Sequence, residues 1–282
     1  MQEAPAIRAT RGSLRAIGWN LLPLAGIAAL VLIWDLALAL AKGPTLLPRP
    51  WAVAEAIAEL ARKGFLVKHV VASLFRVTWG YLAAVLVGIP LGVLLGWYRR
   101  GGMALAPLLE VFRPISPLAW IPIAILWFGV GDLSATFIIF LGSLFPLTLA
   151  AMNAVARVEA VHVNAGRNFG LSGGPLLRRV IVPAILPDLV VGLRLALGIA
   201  WLVVVAAEMI AVGSGLGFLI VDARNAGNRY DIVVAGMVLI GLIGLGLDLV
   251  IRRLELSRAV AWGYSAAPPK ARSSRRQKAL AA

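Results

Sequence analysis

Seven ionisable residues, Asp35, Glu110, Arg113, Asp188, Arg194, Glu208 and Asp248, stand in or beside long apolar runs. A charge held there is costly, so it is paired, faces a wet cavity, or acts on something that crosses. Three chemistries fit these residues. Opposite charges could pair and hold helices together, as Glu110 and Arg113 could, three apart on one helix face. Arg113 and Arg194 could lower the cost of carrying an anion through an apolar layer. Glu208 or Asp248 could relay a proton or another ion. Glu208 is the most isolated of the set, and Arg76, at the end of its run, is long enough to snorkel to the surface. Arg113, Arg194 and Glu208 are therefore the candidates for a translocation path, with bundle cohesion as the plainer alternative.

Other chemistries are excluded or weakened. The chain has no cysteine, which removes disulfides, thiolate metal sites and cysteine nucleophiles. His69 and His162 are too far apart to suggest a metal motif. No G-x-x-x-x-G-K-[ST] phosphate loop occurs, so the chain does not bind ATP in that manner. Leu171-Ser172-Gly173-Gly174 spells the start of an ATPase signature but is followed by Pro175. Its glycines are expected to terminate a helix, where a left-handed residue is needed.

The elements that must position these residues are membrane helices. Of 282 residues, 61% are hydrophobic and the mean hydropathy is +0.90, well above a soluble domain. Runs of about 20 apolar residues each suffice to cross the hydrocarbon core. The expected order is a basic N-terminus at 1–20, a first transmembrane helix at 21–41 and a connector with an interfacial helix at 42–69. A domain of five further helices follows at 70–255, then a basic disordered tail at 256–282. Within that domain the spans fall at 74–97, 104–130, 134–155, 184–212 and 232–251. The first run could also be a cleaved signal, since Ala39-Leu40-Ala41 resembles a cleavage site, but its length favours a retained span. Gly43-Pro44 ends it, and Pro50 opens the connector helix, where Val53, Ile57 and Leu60 form a stripe and Glu59 can pair with Lys63. Pro107, Pro114, Pro117 and Pro122 break the third span, which is expected to face the bundle interior.

Charge sets the orientation. The N-terminus, the turn at Arg99-Arg100, the loop at 157–183, and the tail together with Arg252 and Arg253 at the end of the last span carry 17 of the 27 Lys and Arg residues, and the opposite loops carry 7. The positive-inside rule puts the first group, with both termini, in the cytoplasm. It also accounts for the net charge of +14 without a nucleic-acid partner; the tail meets anionic lipid instead. The fold class is thus an all-α polytopic membrane protein with six transmembrane helices.

The longest polar interruption in the second half is the basic loop from Arg157 to Pro187. It reads as an amphipathic helix, with Val158, Val161, Ala165 and Phe169 on one side. Gly170, a Gly173-Gly174 break, a second short basic helix and Pro183 follow. On the residues alone it reads first as a solvated loop whose arginines set topology. Its pattern, however, resembles the cytoplasmic coupling loop of ABC-importer permeases: E-A-A, three residues, Gly, nine residues, I-x-L-P. Asn164-Ala165-Gly166 stand where E-A-A is expected, Gly170 takes the Gly, and Val180-Ile181-Val182-Pro183 take I-x-L-P. The acidic residue is absent here, and the second Ala is Gly. Pro117-Leu118-Ala119-Trp120-Ile121-Pro122, Leu126-Trp127-Phe128-Gly129, Gly192-Leu193-Arg194, Ala206-Ala207-Glu208 and Gly215-Leu216-Gly217-Phe218 follow in family order. Together they are similar to the nitrate/sulfonate/taurine branch of the type I permeases, over about 68–255.

The resemblance implies a non-catalytic permease subunit of an ATP-driven, binding-protein-dependent importer in the bacterial inner membrane. ATP and Mg would be bound by a partner ATPase, with no cofactor on this chain. Two ATP-binding cassette subunits, a second permease copy (a homodimer is expected), and a periplasmic or lipoprotein substrate-binding protein would complete the assembly. Asn164, Ala165, Gly166, Arg167, Phe169, Gly170 and Pro183 would couple the permease to the ATPase. Asp222, Arg224 and Arg229, in the polar excursion at 213–231, would meet the binding protein. The substrate would be a small anion such as an aliphatic sulfonate, taurine or nitrate. An ion-coupled secondary transporter and a scaffold without a pathway stay open as alternatives.

Overall fold

The computed structural model describes residues 25–41 and 46–255. The expected N-terminus at 1–20, the start of the first span, the Gly43-Pro44 stop and the tail at 256–282 lie outside the described residues. Among the described residues every regular element is helical. Four helices are long and apolar enough to cross a membrane, or five if one bent pair counts as a span; Ala25–Leu40 is a shorter apolar helix.

The chain divides into two compact units. The smaller takes the residues up to 66 together with 222–235. It holds α1 (Ala25–Leu40) and α2 (Pro50–Arg62). Pro50 opens α2, as expected of a residue whose missing N–H is unneeded in the first turn. Val53, Ala56 and Leu60 are buried, and Val53 and Ala56 share a small core with Ala235, backed by Trp34, Ile57 and Ile232. The apolar stripe of α2 therefore has a protein partner as well as any membrane surface.

The larger unit takes 67–221 and the residues from 236 on. Helix α3 (Phe65–Trp97) starts about nine residues before the expected span, because nothing between Gly64 and Pro90 interrupts it. Helix α4 (Arg99–Phe112) takes in Arg99-Arg100, where a turn was expected. Then the third span breaks. Pro114 falls between α4 and a 3-10 turn (Pro117–Trp120), which Pro117 opens and which leads into α5 (Ile121–Phe128), and the two halves meet at 85°. Pro122 sits harmlessly in the first turn of α5.

Helix α6 (Asp132–Ala156) begins after glycines at φ 76 and 155, with Asp132 favourably placed in its first turn. It packs against α3 along a glycine stripe. A Cβ at Gly92 would lie 2.3 Å from the Thr148 carbonyl oxygen, and one at Gly80 or Gly96 would meet Ile139 or Val155 within 2.8 Å. Small residues at such spacing let membrane helices approach backbone to backbone.

Past the basic loop, α8 (Gly173–Leu176), a π-helical turn (Leu177–Ile181) and α9 (Val182–Ala211) form one uninterrupted helix. The expected separate short helix ending at Pro183 is thus the first part of span five. The reason is local. Pro183 has no N–H to offer, and the preceding π turn absorbs the mismatch, with the Val182 N–H reaching back five residues to Leu177. Helices α10 (Leu216–Asn225) and α11 (Tyr230–Glu255) complete the chain. Tyr81 and Trp201 tie the bundle laterally, donating to the carbonyls of Leu193 (2.8 Å) and Ile240 (3.1 Å).

Candidate functional site

The basic loop folds into α7 (Ala160–Asn168) and the start of the long helix. The end of α7 is closed by two backbone bonds: the Gly170 N–H donates to Arg167 (2.9 Å) and the Leu171 N–H to Gly166 (3.0 Å). That pairing needs a left-handed residue at position 170, and Gly170 has φ 78. Gly173, expected to help end this helix, instead lies at φ 54 where the next one begins.

The two faces of α7 differ. Gly166 is buried, and a Cβ there would lie 2.6 Å from Leu176 Cδ1 and 3.0 Å from Val180 Cγ2. The Gly that replaces the second Ala of the motif thus lets α7 lie against the next helix. Val158 and Val163 turn inward onto Ala151, Ala154, Ile181 and Ile185. Val158 is therefore not on the same side as Val161, Ala165 and Phe169, where the sequence put it. The outward face carries Val161, Ala165 and Phe169, with Phe169 87% exposed. Asn164, Arg167, Gly170, Arg178, Arg179 and Pro183 are exposed as well.

The buried charges resolve differently from their sequence reading. Glu208 is fully buried, and Arg76, expected to snorkel, is buried beside it. The Arg76 guanidinium donates to Glu208 (2.7 Å), to Asp132 (2.6 Å) and to Ser214, through both its carbonyl (2.8 Å) and its hydroxyl (2.6 Å). Glu208 also accepts from the Ser73 hydroxyl (2.8 Å) and the Gly217 N–H (3.0 Å). The Leu216 N–H donates to Ser73 Oγ (2.9 Å) and the Gly215 N–H to His69 Nδ1 (3.1 Å). The isolation of Glu208 in its own span is thus relieved from α3. A signal existed in the sequence: His69, Ser73 and Arg76 recur at helical spacing on one face of an apolar run.

Arg194 holds Asp248 in a two-pronged pair at 2.6 and 2.8 Å, the fork geometry suited to a carboxylate. Glu110 and Arg113 do not pair, because Arg113 sits at the elbow where α4 ends. It lines a cavity of about 190 Å³ with Pro117, Trp120, Gly142, Phe145 and Ile199. The ring of Phe112 stacks on Phe145 at 5.6 Å and 3°, bracing the elbow. Among the described residues no ion pair engages Arg113.

In the smaller unit Asp222 and Arg224 are exposed on the last turns of α10. Arg229 bridges Asp231 (2.7 Å) and Glu59 (2.8 Å), and Glu59 also accepts from Lys63 (2.6 Å). The bonds from Arg229 and Lys63 hold the Glu59 carboxyl down at about 2. Asp231 and Glu59 in turn hold the Arg229 guanidinium above its usual value. Among the described residues no group of His, Asp and Glu is arranged to hold a metal ion.

Residues 88–258 match the family model for the binding-protein-dependent transport system inner membrane component. The taurine transport system permease protein TauC of Escherichia coli is 37% identical over 79% of this chain and 82% of its own. The bicarbonate transport system permease protein CmpB of Synechococcus elongatus is 35% identical over 83% of this chain and 88% of its own. Among solved structures, an inward facing conformation of the MetNI methionine ABC transporter aligns with TM-score 0.54 at 21% identity. It covers 67% of this chain and 95% of that one, and shares the fold. The chain thus belongs to the inner membrane component family of binding-protein-dependent transport systems, as a non-catalytic ABC permease subunit whose ATPase is a separate chain.

Proposed function

We propose that this permease carries a small oxyanion, a sulfonate such as taurine, nitrate or bicarbonate, inward across the bacterial inner membrane. The observation that carries this reading is the likeness, over about four fifths of the chain, to permeases named for taurine and for bicarbonate. Arg113 supports it as a cation that no carboxylate among the described residues pairs with, on a cavity of small-ion size. It is the pathway candidate we retain, since Arg194 and Glu208 are engaged by Asp248 and Arg76.

In this reading the chain makes six spans with both termini in the cytoplasm, and the loop at 157–183 docks an ATPase that binds ATP and Mg. Val161, Ala165 and Phe169 enter a groove on that ATPase, and Arg167 pairs with acids at its rim. Two permease copies, two ATPase subunits and an outer binding protein make the transporter, and Asp222 and Arg224 meet the binding protein. Transport by this chain alone, with Glu208 or Asp248 relaying an ion, is disfavoured because each carboxylate already has an arginine.

The test is co-expression with candidate ATPase and binding-protein subunits from the same organism. Uptake of labelled taurine, nitrate and bicarbonate is then measured in proteoliposomes with and without internal ATP. ATP-dependent uptake of one of these anions is expected. Uptake that instead follows an ion gradient without ATP would reject the proposal.

A further inference from the structure

We infer that Glu208 and Ser73 are positioning residues that lock α10 to the outer end of α9, so that motion at the docking loop reaches the outer helix without slack. A helix leaves its first N–H groups without partners, and these must be met from elsewhere. At the start of α10 three successive N–H groups, of Gly215, Leu216 and Gly217, are met by His69, Ser73 and Glu208 in turn. None of the three acceptors is local in the manner of an ordinary cap: two come from α3 and one from α9.

The fit leaves no room for looseness. Gly215 has φ 108, and a Cβ on it would lie 2.2 Å from the Glu208 carboxyl carbon. A Cβ on Gly217 would lie 2.1 Å from the Val205 carbonyl oxygen, so α10 meets α9 backbone to backbone. Arg76 then joins Glu208 to Ser214 and to Asp132 in the first turn of α6. One knot of side chains thus fixes the ends of α6, α9 and α10 onto α3.

The other end of α9 gives the knot its consequence. The helix is continuous from Gly173, inside the basic loop, to Ala211, for 39 residues. At 1.5 Å per residue it is about 58 Å long, about twice the hydrocarbon core. Coupling between distant sites requires an unbroken physical element that both sites bias. This helix is such an element, fastened at one end by Gly166 against Leu176 and Val180 and at the other by Glu208. The inference rests on the reading that the loop docks the ATPase.

The test uses the full complex of permease, ATPase and binding protein in nanodiscs. The chain has no cysteine, so within the permease spin labels attach only at Leu202→Cys on α9 and Val221→Cys on α10; cysteine-free partner subunits and dilution with unlabelled permease isolate the distance within one chain. The distance between them is measured without nucleotide and with ATP and vanadate. It is expected to be the same and narrow in both states, and to broaden in Glu208→Gln and Ser73→Ala. Stimulation of ATP hydrolysis by binding protein loaded with taurine or bicarbonate should fall at least about five-fold in Ser73→Ala, while basal hydrolysis stays within about two-fold. Ser73→Thr, which keeps the hydroxyl, should restore it. A role in stability alone would lower both rates together and would overturn the inference. So would a label distance that shifts with nucleotide in the wild type. If Glu208→Gln does not assemble, Ser73→Ala decides. A wild-type permease that retains no ATPase marks failure of the docking reading itself, and the inference falls with it.

Discussion

The Arg76 guanidinium lies 2.7 Å from the Glu208 carboxylate, and the two side chains keep only 2% and 0% of their surface accessible. Removing one member of such a pair strands the other. Arg76→Met is expected to destabilise the fold by about 3–5 kcal/mol, as for other broken buried pairs. The double change Arg76→Met with Glu208→Gln should recover part of that loss. Asp132→Asn, at the exposed end of the network, should matter less, by under about 1 kcal/mol. Thermal unfolding in mild detergent, followed by tryptophan fluorescence, checks all three.

The glycine stripe of α3 predicts a contrast. Gly92→Val drives a side chain into the Thr148 backbone and is expected to destabilise by about 1–3 kcal/mol or more. Gly198, in α9, has nothing within 4 Å of a Cβ position. Gly198→Ala should be neutral or stabilising by up to about 1 kcal/mol, from helix propensity. The same unfolding assay separates them.

The proposed docking should depend on a few side chains. Phe169→Ala leaves every buried contact intact, so it should unfold like the wild type yet bind its ATPase about ten-fold more weakly, as loss of an aromatic anchor does. Gly166→Val should fail differently, by prying α7 off Leu176. Co-purification with the ATPase, read beside the unfolding midpoint, tells the two failures apart.

At the elbow, Arg113→Gln should lower the maximal rate of anion uptake about ten-fold or more while leaving ATPase binding unchanged, and Arg113→Lys should retain much of the rate. Proteoliposome uptake at saturating binding protein measures both. Equal rates in all three proteins would remove Arg113 from the pathway.

The Glu59–Arg229 contact carries a pH dependence of known sign. The folded carboxyl sits near 2, below its ordinary value of 4.5. Its stabilisation is therefore fully present above pH 4.5 and is lost as pH falls toward 2. The difference in unfolding midpoint between wild type and Glu59→Gln should be constant from pH 8 to about 5 and vanish toward pH 2.

The membrane helices and the elbow were legible because hydropathy and proline act locally. Pro114 and Pro117 mark the 85° bend directly. The end of α7 was legible through Gly170, whose φ 78 is what a helix-ending glycine provides. The role of Arg76 was not, because its partner Glu208 lies 132 positions away and only the packing of α3 on α9 brings them together. Pro183 misled for a related reason. A proline signals a lost hydrogen bond, but not the π turn at Leu177–Ile181 that lets the helix run through it.

The inward face of α7 has a consequence for the proposed docking. With Gly166 seated on Leu176 and the helix end closed on itself, the loop is preorganised before any ATPase arrives. Little conformational entropy is then left to lose on association, and a small contact suffices for useful affinity. In the proposed docking, selectivity among the ATPases of a cell falls to the handful of outward side chains around Phe169. Exchanging those few residues between permeases should redirect which motor each one recruits.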